Sequence, residues 1–268
     1  MYTWIVVCGG IFSFVAAMGI GANDAANAFA TSVGSGALTV KKAAGLAVIF
    51  ETAGAILMGS HVTDTIRKGI ADYKCFESSP ELLIYGCMCV LFAVGLWLFL
   101  ASYFQMPVST THSCVGGMVG MTMITGGVSC VNWYSEKDTF PYVGGVSGIV
   151  LSWFISPIMS ALISGLLFFI TRLFVLRNNN SFSRAFKSMP IFIGLTLVLN
   201  TFFIIYKGAK GLGLSDTPFT TALGVAVGIG GFFGIAMIPF LPRLKMRIEK
   251  LFTQKEKVIK RCRPYINQ

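Results

Sequence analysis

The sequence predicts an all-α fold: a polytopic bundle of transmembrane helices, some of them broken or re-entrant. Three observations predict it. Apolar residues make up 54% of the 268 and charged residues only 12%, about half the charge of an ordinary soluble domain. Mean hydropathy is +0.73. A soluble domain of this size cannot build a polar surface from so few polar residues, and a disordered chain would be poor in apolar ones. Long apolar runs recur along the whole chain, and short polar, glycine-rich stretches interrupt them.

A spanning helix needs roughly 20 apolar residues, or about 30 Å of rise. Seven runs meet or approach that length, at 2–20, 43–60, 83–104, 113–131, 142–170, 190–206 and 218–240. The first has no basic stretch ahead of it and flows into a polar motif rather than a cleavage site, so it is expected to be a retained signal-anchor. The second carries Glu51 at its centre, and the third is uninterrupted. The fourth follows Pro107, which breaks the helix before it or opens the next. The fifth is long enough to tilt or to project beyond the bilayer. These runs make residues 1–240 one transmembrane domain, with 241–268 a basic cytoplasmic tail.

Net charge is +10. In a soluble protein that would suggest nucleic acid, but here the basic residues sit between apolar runs, where they act as an orientation signal. With the N-terminus outside, 15 Lys and Arg fall on inside segments and six on outside ones, and nine of the 15 lie in the tail from Arg243 to Arg263. The bias predicts N-out, C-in, with the lipid bilayer rather than nucleic acid as partner. The tail is also a candidate for contact with anionic lipid. The Asn179-Asn180-Ser181 sequon then lies inside and should not be glycosylated. The seven cysteines form no zinc spacing, and most lie in apolar runs as small hydrophobes. Cys75 and Cys130 can pair if both reach the oxidising side, which spacing alone leaves open.

Polar residues inside these runs carry the chemistry. Between Gly19 and Gly36 the chain reads GIGANDAANAFATSVGSG, with Asn23, Asp24, Asn27, Thr31 and Ser32 among glycines and alanines. On a helix, Asn23 and Asn27 share a face, and Asp24 and Asn27 are three apart. Carboxylate and amide oxygens suit a hard cation. A carboxylate at mid-membrane costs roughly 2.5–3.5 kcal/mol on insertion scales, so one kept there marks an ion site or pathway. A polar packing seam is the blander reading. Glu51, beside Thr52 in AGLAVIFETAGAILMG, is the second such carboxylate, and its run holds no Lys or Arg.

In QMPVSTTHSCVGGMVG, residues 105–120, Pro107 is followed by Ser109, Thr110, Thr111 and His112 in the first turn of the next run. A helix start offers free N–H groups and partial positive charge, a ready site for an oxyanion such as phosphate. Ser and Thr also cap ordinary helices, and this segment alone leaves the two readings even. Cation ligands and a broken helix for an anion together describe a cation-coupled transporter of a small oxyanion. An enzyme using Ser109 and His112 is disfavoured, because no carboxylate orients the pair and no metal cluster accompanies it. No catalytic residue and no cofactor is therefore expected.

The motifs GANDAANAFATSVGSG, FETAG, DTIRKGI, PVSTTH and SWFISP, in that order, resemble the inorganic phosphate transporter (PiT) family, in its animal, sodium-dependent form. The resemblance covers about residues 10 to 245. It implies symport of inorganic phosphate with sodium across the plasma membrane. It assigns sodium to Asn23, Asp24 and Asn27 with Glu51, phosphate to Ser109, Thr110, Thr111 and His112, and support to Thr31, Ser32 and Thr52. Ala25 and Ala30 stand where the family often has Val and Gly, and Cys87 where animal relatives can carry a glutamate. Family members consist of two inverted halves, each with its own motif of this type, and this sequence holds one. The expectation is the N-terminal half of such a fold: a symporter, or a non-transporting half that binds ions, a second copy or a complementary half.

Overall fold

The computed structural model describes residues 2–136, 142–206 and 217–250 together with Thr253. The side chains at 60, 61, 64, 65, 67 and 68, within the DTIRKGI region, lie outside the described residues. So do Lys137, Lys207, Lys210 and nearly all of the tail beyond Lys250.

The described residues include seven long helices: α1 (Thr3–Gly34), α2 (Val40–Gly69), α3 (Pro80–Tyr103), α4 (Thr110–Gly126), α5 (Gly145–Thr171), α6 (Ser181–Tyr206) and α7 (Phe219–Met237). Two-residue strands β1 (Ser135–Glu136) and β2 (Val143–Gly144) pair antiparallel before α5. The all-α membrane fold expected from composition is the one found. Six helical segments are long and apolar enough to span a bilayer. The fourth expected run, 113–131, is the exception. Its helix α4 has 17 residues, about 25 Å of rise and short of a full span. Gly127, at φ +89, ends it, and the following turn holds Cys130 in a disulfide with Cys75.

Several boundaries differ from the apolar runs. α1 continues 14 residues past residue 20, through the whole polar motif to Gly34, because its alanines are strong helix formers and outweigh the asparagines and Gly21 among them. Gly36, in the left-handed region at φ +75, then turns the chain. α2 reaches Gly69, so the connection to α3 is shorter than the gap between the 43–60 and 83–104 runs. α6 begins at Ser181 and takes Pro190 into its interior. After α7 a 3-10 turn at Ile238–Phe240 leads into further helix through Lys250. Five residues after α5, Arg172–Leu176, form a π-helical turn.

The chain divides into two compact units between Ser156 and Pro157, within α5. In the first, the core joins Val90, Val94 and Leu98 of α3 to Val115, Met118 and Met121 of α4, closed at one end by Ile70, Val131 and Val146. α3 and α4 are antiparallel: Gly86 lies on Met121 and Gly117 on Val90. α1 and α3 are parallel, since their contacts rise together from Trp4–Tyr85 through Phe12–Phe92 to Gly19–Leu98. Small residues permit the close approach. A Cβ on Gly95 would lie 3.3 Å from the Ala16 Cα, and one on Gly19 3.0 Å from the Leu98 Cβ. The second unit centres on the α6–α7 pair, where Gly194, Gly230 and Gly234 meet backbone to backbone.

Candidate functional site

Parallel packing of α1 on α3 carries the α1 polar motif to the C-terminal end of α3, where the chain breaks. α3 closes with a Schellman motif: the Met106 N–H donates to the Ala101 carbonyl (2.9 Å) and the Gln105 N–H to the Ser102 carbonyl (3.1 Å). Gln105 occupies the left-handed position usually given to glycine, at φ +57. Residues 104–109 then run to α4, which Ser109 caps: its Oγ accepts from the His112 N–H at 3.3 Å. The broken helix expected around Pro107 is present. The polar α1 motif is unbroken helix.

Asn23 holds the break. It is one of two buried polar residues among the described residues of unit one, 6% exposed. Its Nδ2 donates to the Met106 carbonyl at 2.9 Å and more weakly to Ser102 Oγ at 3.4 Å. Its Oδ1 accepts from the Val108 N–H at 3.1 Å. Both ends of one amide are thus engaged with backbone on either side of Pro107. Asp24, half-buried, is the next contact: the Thr110 hydroxyl donates to Asp24 Oδ2 at 3.3 Å. A carboxylate of α1 therefore sits at the first residue of α4, the electropositive end of that helix.

Other expected residues lie around this pair or away from it. Asn27 and Thr111 are exposed. His112 packs edge-on against Trp153 of α5, ring centroids 4.0 Å apart. Thr31 and Ser32 stand two turns further along α1, where their carbonyls cap its C-terminus, and they take no part in the cluster. Glu51 and Thr52 are exposed on α2. Only Ala43 is buried among the described residues of α2, and no hydrogen bond joins Glu51 to Asp24 among the described residues.

Ser102, Trp153 and the backbone of Met106 and Val108 were not anticipated. Trp153 lies in the SWFISP stretch, but nothing local marks it as a neighbour of His112. The partners of Asn23 are 79, 83 and 85 residues away, and backbone groups have no signature in sequence. Among the described residues no cluster of three His, Cys, Asp or Glu could hold a transition metal. The arrangement offers instead a carboxylate oxygen, hydroxyls and a helix start, groups of the kind that suit a hard cation and an oxyanion.

Comparison with known proteins agrees in kind. Residues 20–264 match the profile described as the phosphate transporter family. The chain is 38% identical over 248 residues to "Sodium-dependent phosphate transporter 1" of Mus musculus, which covers 92% of this chain and 35% of the relative. The Homo sapiens protein of the same name is 38% identical over 250 residues, with 93% and 35% covered. A solved structure, "The sodium-dependent phosphate transporter", superposes with a TM-score of 0.77 at 34% identity, over 90% of this chain and 56% of that one. The chain thus spans about a third of the length of the curated relatives it matches.

Proposed function

The chain belongs to the phosphate transporter family, and from that premise we propose that it takes part in sodium-coupled symport of inorganic phosphate across the plasma membrane. The observation that carries the coupling is the 3.3 Å contact between the Thr110 hydroxyl and the Asp24 carboxylate. Phosphate bound at the start of α4, through Ser109, Thr110, Thr111 and His112, meets that carboxylate. Two like charges ~5 Å apart repel by about 3 kcal/mol at an effective dielectric of ~20. A sodium ion on Asp24, with Asn27 and Glu51 completing its oxygens, removes the repulsion. Anion binding then requires the cation, which is coupling in its simplest form. Asn23 contributes by fixing the height of the 104–109 segment against Asp24.

The exposed positions of Asn27, Glu51 and Thr111 leave one side of this site open. A second protein surface, from another copy or a complementary half, would close it. On its own the chain would bind ions weakly and transport poorly.

The Cys75–Cys130 disulfide supports N-out, C-in, because such bonds persist on the oxidising side. Cys75 precedes α3, and α3 runs parallel to α1, so the N-terminus shares the disulfide's side. Three further crossings, by α5, α6 and α7, bring the C-terminus inside.

The test is radiolabelled phosphate uptake into cells expressing only residues 1–268, in sodium and then in choline medium. The expected result is uptake near background, rising with sodium when a complementary half is co-expressed. Sodium-independent uptake would remove the coupling mechanism, and robust uptake by a demonstrated monomer would remove the need for a second surface.

A further inference from the structure

The second unit contains a feature that the transport site does not use. Between α6 and α7 an apolar groove of 370 Å³ runs along the glycine seam. Its floor is fixed by close contact: a Cβ on Gly194 would lie 3.1 Å from the Gly230 carbonyl, and one on Gly234 3.1 Å from the Pro190 carbonyl. Gly231 is different, with no atom within 4 Å of its Cβ position, so it faces the open channel. From Pro190 to Val198 the groove extends about 12 Å, most of the ~15 Å hydrocarbon depth of one leaflet.

Beyond one end of this groove both helices continue into basic residues. Lys187, Ile191, Gly194 and Val198 recur at helical spacing on one face of α6, so Lys187 sits one turn beyond the apolar wall. Antiparallel packing, with Gly234 against Pro190, brings the end of α7 to the same membrane level. The helix that follows carries Arg243, Lys245, Arg247 and Lys250 against a single acidic residue, Glu249, among the described residues. Neither Lys187 nor Lys245 has an ion-pair partner among the described residues.

We infer that the α6–α7 groove is a binding site for one anionic phospholipid, its acyl chain lying on the Gly231 face and its headgroup held by Lys187 and Lys245. Charge decides the occupant. An apolar protein helix laid along the groove would bury two unpaired lysines at that end, which is costly. A zwitterionic lipid brings a cationic amine beside its phosphate and so no net counter-charge, whereas an anionic headgroup supplies one at the interface. Only the leaflet rests on the orientation proposed above: with the C-terminus inside, the lipid comes from the anionic cytoplasmic leaflet. Lipid binding by purified protein does not depend on that orientation, nor on transport, so the two readings fail separately.

The experiment is native mass spectrometry of the purified full chain, titrated with phosphatidylserine or with phosphatidylcholine of identical acyl chains. Two basic groups predict phosphatidylserine adducts at roughly thirtyfold lower lipid concentration. The double variant Lys187→Gln, Lys245→Gln should abolish that preference while leaving phosphatidylcholine adducts unchanged. Gly231→Leu, which fills open space, should weaken both adducts with helical content and melting temperature preserved. Equal binding of the two lipids by the native chain, or a preference that survives the double lysine variant, overturns the assignment. A Gly231→Leu chain that changes oligomeric state without losing lipid gives the groove to a second protein surface and overturns it equally.

Discussion

Replacing Asn23 by alanine removes a side chain that ties α1 to the segment between α3 and α4. Two hydrogen bonds of good length disappear, to the Met106 carbonyl at 2.9 Å and from the Val108 N–H at 3.1 Å, with a weaker one to Ser102 at 3.4 Å. Each intramolecular bond contributes about 1 kcal/mol net, and orphaning a buried group costs more. The expected loosening of residues 104–109 is therefore about 2 kcal/mol, or roughly thirtyfold in the open population. Hydrogen exchange of a peptide covering residues 103–112, followed by mass spectrometry of the purified chain, reads that change directly. Asn23→Asp separates two roles for the residue. It keeps an acceptor for Val108 but loses the donor to Met106 and sets a carboxylate against that carbonyl, so the segment should loosen at least as much as in Asn23→Ala. A residue whose work is to ligate sodium would instead keep or tighten the ion as aspartate. Unchanged exchange in Asn23→Ala would refute the positioning role.

Asp24→Asn keeps shape and removes charge, and in a full-length context it should reduce sodium-driven phosphate uptake to background with surface expression intact, as checked by biotinylation. Cys75 and Cys130 should react with a membrane-impermeant maleimide on intact cells only after reduction. Cys75→Ser should lower stability by about 4 kcal/mol for a loop of 55 residues under the chain-entropy account, measured by thermal melting of the purified chain. Gly95→Val places methyl groups where even a Cβ meets the Ala16 backbone at 3.3 Å. Overpacking of about 1–3 kcal/mol should part α1 from α3 and loosen the 103–112 peptide without touching any polar residue of the site.

The sequence alone determined the solvent and the fold class. A 54% apolar chain with 12% charge can only satisfy its backbone in lipid as helix or closed barrel, and run length then located six of the spans. It also singled out Asp24 and the hydroxyls after Pro107, because polar groups in apolar runs are visible one at a time. The tertiary structure decided which of these meet. Asp24 and Thr110 are 86 residues apart and touch only because Gly19 and Gly95 let α1 and α3 lie side by side in parallel. The bridge from Cys75 to Cys130, left open by spacing, required that α4 return to the end where α3 begins. The length of the first helix was likewise hidden: its polar motif reads as a break, yet alanines, the strongest helix formers, carry the helix through it to Gly34. Thr31 and Ser32 fall outside the cluster for a related reason, since each helical residue adds about 1.5 Å and eight residues carry a side chain beyond reach of Asp24. Local chemistry is written in residue identity, whereas the meeting of two helices depends on surfaces that no single segment contains.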